Sequence, residues 1–591
     1  MFASKEKKIR LADLALVKGL TPYVRPYAWM LALTTLMVFL VTGFELLLPL
    51  LTQKAVDGFI LPVQGTGTQV FGFEITQFSS FGLLFAGVIV SGFILDFCQT
   101  LFMEYTGQKI ILNLRCRLFA HMTGLPVAYY DQNSSGRLVA RVAGDIENMN
   151  EMFTSILVFI FKDLILMAGI FGVLFFINEQ LTLYLSLIIP VIVLSIGYFS
   201  RILRKVFRNI RQKISEINHR FSEAIAGIKI IQTTTASDRF AKAFYALNQA
   251  HFTAAMSQIK IFAVFMPFIG FLGILSTALI IWTGSFSVAS QAMTLGELVA
   301  FLTYMKLFFR PLRELSEKFN LLQNALASAE RIITVLNTPR AEQENARVRL
   351  NQISRLEFKD INFSYENNRP VLQDLNFSLE KGKSLGIVGR TGSGKSSIIN
   401  LITGFYTPQK GNILINTIDH RTMDIREIRN CTALVMQDPI LFSGTVLENI
   451  KGSSRSDHTG LESALKKANC GFLHEKFSGL DTLLGEGGRP LSSGEKQLVC
   501  IARAFAFDPD LIIFDEATSY MDSQSEIQVH DAMKKLMAGR LSIIIAHRLS
   551  TVRDCDHILV LKQGQIVEQG SHADLAAQKG EYAMLLKKEQ I

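Results

Sequence analysis

Apolar residues follow two regimes along the 591-residue chain. In the front part they form long runs, near 27–52, 81–103, 153–177, 181–199, 261–283 and 292–309. Each run has about 18–26 residues, and about 20 helical residues at ~1.5 Å each cross a bilayer core. The pattern predicts six spanning helices. Six buried helices of a soluble protein are the alternative, disfavoured because soluble helices rarely sustain such lengths. In the back part the apolar runs are short, as in 384–388, 511–514 and 542–546, and read as buried strands.

The connections carry their own pattern. About 50 and 60 residues separate the second span from the third and the fourth from the fifth. Their apolar positions recur at helical spacing, as in Ile110, Leu114, Leu118 and Met122, so both are expected to be helical extensions of the spans. Each contains a reversal, at 125–131 and around Gly227. Residues 11–20 read as an amphipathic helix lying on the inner membrane surface, with an ordinary soluble helix as the alternative. Pro22 and Pro26 then turn the chain into the first span. No cleavable signal sequence is expected, because no short apolar core with a small-residue cleavage site follows the basic start.

Composition sharpens this division. The chain is 49% hydrophobic and only 19% charged, with 44 Phe and a mean hydropathy of +0.29. That excludes disorder and disfavours an ordinary soluble enzyme. The net charge of +9 raises the question of nucleic acid. Residues 1–340 hold 30 Lys and Arg against 20 Asp and Glu, a net +10; residues 341–591 hold 30 against 31, a net −1. The excess lies in the two long connections, including Arg115, Arg117, Arg137, Arg141, Arg201, Arg204 and Lys205. The opposite connections are nearly free of it, with Lys54 alone in 53–80. Positive loops face the cytoplasm, so a multi-pass protein of the cytoplasmic membrane with both termini cytoplasmic is expected, and no nucleic-acid partner. The six cysteines form no C-x-x-C pair, and neither a disulfide nor a zinc site is expected.

Candidate chemistry sits in the back part. Gly389, Arg390, Thr391, Gly392, Ser393, Gly394, Lys395 and Ser396 fit G-x-x-x-x-G-K-[ST], followed by Ser397 in an expected helix. Such a loop cradles phosphates with backbone N–H groups at a helix N-terminus. Lys395 is placed to neutralise the β/γ-phosphates, and the Ser396 hydroxyl to ligate Mg²⁺. A second strand, 511–514, ends at Asp515 and Glu516. Asp515 is the expected Mg²⁺ partner, and Glu516 is placed to polarise an attacking water. Between these motifs, Leu491-Ser492-Ser493-Gly494-Glu495 opens a helix. Its physics alone favours a simple N-cap over a phosphate contact.

With these motifs in this order, the stretch 340–591 resembles the nucleotide-binding domain of ATP-binding cassette (ABC) transporters. The resemblance assigns Gly389–Ser396 to the Walker A motif, Ser492, Ser493, Gly494 and Glu495 to the signature, and Asp515 and Glu516 to Walker B. It implies that Tyr365 stacks on adenine and that Gln437 links metal and membrane domain. His547 would contact the γ-phosphate, and Asp522 would end a loop crossing between two ATP sites. ATP and Mg²⁺ are the implied cofactors. Six spans ahead of one such domain resemble the half-transporter layout of ABC exporters, with 125–131 and 223–231 as the coupling regions. No N-terminal peptidase region is expected ahead of the spans.

The implied fold is a multidomain membrane protein. An all-α, six-helix transmembrane domain with long cytoplasmic extensions fills 1–336. A linker covers 337–350, and an α/β P-loop NTPase domain of ABC type covers 351–591. The implied activity is ATP-driven export of a hydrophobic or amphipathic molecule, drug-like or lipid, through a dimer. Ser493 stands where the family has glycine, and Glu495 where it has glutamine. These departures favour a heterodimer with a second half-transporter over a homodimer. Ionisable groups within spans often line a pathway, and the candidates are Glu45, Asp96, Lys162, Asp163, Glu297 and Lys306, with Glu45 and Glu297 the better cavity candidates. The alternatives are a local ion pair for Lys162-Asp163 and a snorkelling side chain for Lys306. A soluble DNA clamp and an ATP-gated channel are the competing classes.

Overall fold

The computed structural model describes residues 21–60, 68–70, 73–152, 157–340, 349–365, 369–452, 456–515, 522–546 and 548–589. The expected inner-surface helix at 11–20 and most of the linker, 341–348, lie outside these. Among the described residues, four helical stretches are long and apolar enough to cross a bilayer: Thr21–Ile60, Phe78–Met122, Glu179–Ala226 and Ser237–Ala289. The expected spans at 153–177 and 292–309 fall on two further helices. The second of these carries Glu297, Lys306 and Arg310 among its first residues.

The chain divides into two units, residues 1–123 with 135–338, and residues 124–134 with 339–591. The main elements of the first are α1 (Ala28–Ala55), a hairpin of β1 (Thr68–Val70) and β2 (Phe73–Ile75), α2 (Phe78–Met122), α3 (Leu157–Ile177), α4 (Glu179–Ser186), α5 (Ile188–Ala226), α6 (Ser237–Ala289) and α7 (Leu295–Leu336). Helix α2 has 45 residues and α6 has 53, so at 1.5 Å per residue they extend about 68 and 80 Å. A ~30 Å hydrocarbon core uses less than half of that length. The expected helical extensions are therefore present. The reversal near Gly227 is a short helix, Ile228–Thr233. Pro49, Pro267 and Pro311 lie inside α1, α6 and α7, where each removes one backbone hydrogen bond.

Ionisable groups tie these helices together. The Lys162 ammonium of α3 lies 3.1 Å from a Glu45 oxygen on α1 and 3.4 Å from an Asp96 oxygen on α2. Asp163 pairs instead with Lys318 of α7 at 2.8 Å. The adjacent Lys162 and Asp163 thus point to different helices, and the alternative of a local pair between them is not what forms. Consecutive residues project about 100° apart on a helix, which sends their side chains to different neighbours. At the start of α7 the Thr294 hydroxyl accepts from the Glu297 backbone N–H at 3.0 Å, and the Glu297 carboxylate accepts from the Thr294 N–H at 2.9 Å. Asp57 accepts from the Thr294 hydroxyl at 2.7 Å and from the Gly296 N–H at 2.8 Å. Glu45 and Glu297 are therefore engaged within the chain, one in an ion pair and one in a helix cap.

The second unit contains two larger sheets. One is antiparallel: β3 (Arg355–Phe363), β4 (Leu372–Glu380), β6 (Lys410–Ile415) and β7 (Ile418–Asp419), in the order β4-β3-β6-β7. The other is mostly parallel. It joins β5 (Ser384–Gly389), β8 (Thr432–Val435), β9 (Leu511–Asp515), β10 (Leu541–Ile545), β11 (His557–Lys562) and β12 (Gln565–Gly570), in the order β12-β11-β5-β10-β9-β8. Its central strands are buried on both faces. Leu511, Ile513, Leu541 and Ile543 join one hydrophobic core, while Ile512, Phe514 and Ile544 join another. Alternate residues of a strand face opposite sides, so a sheet covered on both sides needs an uninterrupted apolar run.

Candidate ATP site

Strand register brings the nucleotide motifs to one edge. Ile387 pairs with Ile545, Ile545 with Asp515, and Phe514 with Val435. The parallel strands β5, β8, β9 and β10 therefore end side by side. The phosphate loop, Gln437, Asp515 and Ala546 all lie at this carboxyl edge, where open α/β sheets bind their ligands. Glu516, which follows Asp515 in sequence, and His547 lie outside the described residues, as do the neighbouring residues 517–521.

The loop is built around two glycines. A Cβ at Gly389 would strike the Leu561 carbonyl oxygen and lie 2.8 Å from the Ser393 hydroxyl. Gly394, at φ +103°, begins helix α8 (Lys395–Ile402), and a Cβ there would lie 2.7 Å from Leu372. The 5%-exposed Lys395 folds back over the loop, its ammonium donating to the Gly389 carbonyl at 2.7 Å and the Arg390 carbonyl at 3.2 Å. The Ser393 hydroxyl is buried and makes no hydrogen bond. An unsatisfied buried hydroxyl costs about 1–3 kcal/mol. A polyanion satisfies both observations by accepting from Ser393 and attracting Lys395. The residues fit a nucleotide phosphate chain. Thr391, Gly392 and Ser396 are exposed on the same loop, and Arg390 reaches Glu581 at 3.7 Å.

Tyr365 stands beside α8. Its hydroxyl donates to Ser397 at 3.0 Å and accepts from the Asn400 amide at 2.9 Å. Its ring meets Phe363 and Tyr406 edge to face, with centroids 4.8 and 4.9 Å away, and remains 44% exposed. That exposure leaves ring surface for a base. Ser397, expected among the nucleotide contacts, directs its hydroxyl to Tyr365. The Tyr406 hydroxyl donates in turn to Asp131 at 2.5 Å. Asp131 lies in a short helix, Val127–Gln132, which overlaps the first expected coupling region, 125–131, and clusters with this unit. Burial, followed by the hydrogen bond to Asp131, pushes the Tyr406 phenol above its usual range.

The signature opens helix α9 (Ser493–Phe507) with a reciprocal cap. The Ser492 hydroxyl accepts from the Glu495 N–H at 3.3 Å, and the Glu495 carboxylate accepts from the Ser492 N–H at 2.8 Å. Lys476 lies 3.0 Å from the other Glu495 oxygen. Burial opposes ionisation of Glu495, but the Ser492 and Lys476 contacts outweigh it and hold the carboxyl below its usual range. Ser493 is exposed at the first helical position. Gly494 packs on helix α10 (Ser523–Met537), where a Cβ would lie 2.6 Å from Ser525. Asp522 caps α10 by accepting from the Ser525 N–H at 3.0 Å. Signature and Asp522 thus form a second group, at two adjoining helix N-termini.

Three contacts were not read from the sequence. Gln497, fully buried in α9, donates to the Met436 carbonyl at 3.2 Å, tying the signature helix to the segment that carries Gln437. Arg503 donates to the carbonyls of Asn449 at 2.8 Å and Ile440 at 3.2 Å. Tyr406 holds Asp131. Each joins residues distant in the chain, and no local spacing signals it.

Comparison with known proteins identifies the family. Residues 31–312 match the family model of the ABC transporter transmembrane region, and residues 372–519 match the ABC transporter family model. An uncharacterised ABC transporter ATP-binding protein of Bacillus subtilis, YknV, is 32% identical over 96% of this chain and 93% of its own length. The ATP-dependent lipid A-core flippase of Thiobacillus denitrificans is 32% identical over 95% of this chain and 96% of its own. The structure of a bacterial Atm1-family ABC exporter with ATP bound superposes with a TM-score of 0.78 at 26% identity, covering 96% of this chain and 100% of that one. The chain belongs to the ABC transporters, as a multi-pass membrane protein with an ATP-hydrolysing domain on the same polypeptide.

Proposed function

We propose that this chain is one half of a dimeric exporter that uses ATP to move a hydrophobic or amphipathic molecule, drug-like or lipid, across the cytoplasmic membrane by alternating access. The observation that carries it is the convergence of the phosphate loop, Gln437 and Asp515 on one strand edge, in a chain that also supplies the spanning helices. The flippase and exporter similarity supports the direction and the cargo class. Both termini face the cytoplasm in this reading, because the basic excess lies in the connections on that side.

In the cycle, the loop N–H groups, Ser393 and Lys395 hold the phosphates, and Tyr365 stacks on the base. Ser396, Gln437 and Asp515 would hold Mg²⁺, which would supply charge neutralisation at the β/γ-phosphates. Glu516 takes the proton of the attacking water, and His547 contacts the γ-phosphate. Ser492, Ser493, Gly494, Glu495 and Asp522 serve the partner's ATP. Two ATP molecules joining two such domains shift a two-state equilibrium through their preference for the closed pair. The partner is a second half-transporter in a heterodimer, with a homodimer as the alternative. The support is chemical: the Ser493 hydroxymethyl adds bulk, and the Glu495 carboxylate is committed to Ser492 and Lys476.

Glu516→Gln tests the core of the reading. Steady-state hydrolysis is expected to vanish while ATP binding persists, and full turnover would overturn the role of Glu516. Substrate-stimulated hydrolysis at two equal sites, from this chain purified alone, would overturn the heterodimer. Ion current through the reconstituted pair without turnover would favour a channel instead.

A further inference from the structure

The parallel sheet has a second occupied edge. At its amino end, Ser384 of β5 lies beside Ser542 of β10, and Gly386 beside Ile544. Neighbouring residues of paired strands share a face, so these four form one floor. The two serines differ. The Ser384 hydroxyl donates to the Asp556 carboxylate at 2.8 Å and accepts from the Asp556 N–H at 2.9 Å. The Ser542 hydroxyl is fully buried and makes no hydrogen bond among the described residues. A hydroxyl in that condition has lost its water and gained nothing in return.

A cleft of about 270 Å³ opens over Ser542. Met533 and Met537, four residues apart on one face of α10, form its wall. Cys555 closes one side, with its sulfur 3.4 Å from the Cβ position of Gly386. Burial pushes the Cys555 thiol up to about 12, so it lines the cleft as neutral sulfur. A metal would need the thiolate. The charges at the rim are already matched. Lys534 lies 2.6 Å from Asp554, Lys383 3.1 Å from Asp556, and Arg540 2.6 Å from Asp508. These pairs leave no call for an ionic ligand of either sign.

Three sulfurs, an aliphatic floor and one unmet hydroxyl suit an aromatic ring that carries a single hydrogen-bonding group. Methionine sulfur packs favourably on ring edges. An apolar cavity of about 150 Å³ already holds benzene. The larger volume here admits a substituted ring.

We propose that this cleft is a binding site for a small neutral phenol, its hydroxyl on Ser542 and its ring against Met533 and Met537. The site is separate from the ATP site. Ser384 and Gly389 are the two ends of β5, about 17 Å apart, and the phosphate loop leaves from the Gly389 end.

The test follows 4-fluorophenol by fluorine NMR with the full chain in phosphatidylcholine nanodiscs, and empty nanodiscs as the blank. Saturable binding above the linear uptake by lipid is expected. Fluorobenzene, which lacks the hydroxyl, should bind about fivefold or more weakly. Ser542→Ala should weaken 4-fluorophenol by a similar factor and leave fluorobenzene within about twofold, a split that a damaged fold would not produce. Equal affinity of the two ligands for the native chain would overturn the site. So would undiminished 4-fluorophenol binding in Ser542→Ala, or equal loss of both ligands in that variant. Displacement by ATP would place the phenol at the nucleotide site and overturn the separate one. Uptake no greater than the blank would leave the hydroxyl to solvent and overturn the proposal outright.

Discussion

The Tyr406 hydroxyl donates a hydrogen bond to Asp131 across 275 residues of sequence, and the Tyr406 ring packs against Tyr365. One tyrosine therefore touches both Tyr365 and the short helix Val127–Gln132, the proposed adenine-side aromatic and coupling region. Tyr406→Phe keeps the ring contact and deletes the hydrogen bond. The expected result is a KM for ATP within about twofold of the native value, with cargo stimulation of hydrolysis reduced several-fold. Asp131→Asn should behave similarly. Unchanged stimulation in both variants would show that the bond carries no signal.

Gly494 allows α9 to approach α10. Gly494→Ala places a methyl 2.6 Å from the Ser525 side chain. Overpacking of this kind costs about 1–3 kcal/mol, which thermal unfolding of the full chain would register as a lower midpoint. Ser525→Gly in the same chain should recover most of the loss. A double variant as unstable as the single one would place the defect elsewhere.

Lys162 offsets two carboxylates. Lys162→Gln leaves Glu45 and Asp96 facing each other without a cation. Full burial would make the loss ~3–5 kcal/mol; Asp96 is 53% exposed, so about 1–3 kcal/mol is expected. Denaturant unfolding in detergent measures it. Adding Glu45→Gln and Asp96→Asn should restore stability, since the uncompensated charge is then gone.

Acid should loosen the signature. The Glu495 carboxyl is held below its usual range in the folded chain, so its contribution is complete above the ordinary carboxylate pKa and is lost as pH falls through the folded one. Glu495→Gln retains a capping acceptor and removes this titration. The native chain is expected to lose more thermal stability than the variant between neutral pH and about pH 3. Parallel losses would remove Glu495 from the acid response.

Much of this was legible because it is local. A strand buried on both faces must be apolar throughout, so 511–514 and 542–546 announced themselves. The phosphate loop needs its glycines at fixed offsets, and Gly389 and Gly394 fill them. Spans declare themselves by length, and their extensions by helical spacing in residues such as Ile110 and Leu114. Helix rotation and distant pairing left no such trace. Lys162 and Asp163 were adjacent in sequence and proved to serve different helices. Thr294-x-x-Glu297 and Ser492-x-x-Glu495 both spell a capping box. That pattern was the better guide to Glu297, whose membrane setting had pointed to a cavity. Tyr406 and Asp131 have nothing in common until the chain folds.

The proline in α6 has a mechanical meaning. Pro267 leaves the Ala263 carbonyl without its helical donor, 30 residues from the end of the helix at Ser237. That distal arm is about 45 Å long. A bend of about 5° at the weakened turn would sweep its tip through about 4 Å, roughly three-quarters of the ~5.4 Å advance of a helical turn. The arm is a lever that pivots at Pro267, so a bend that barely moves the residues beside the proline becomes a displacement of several ångströms at the far end.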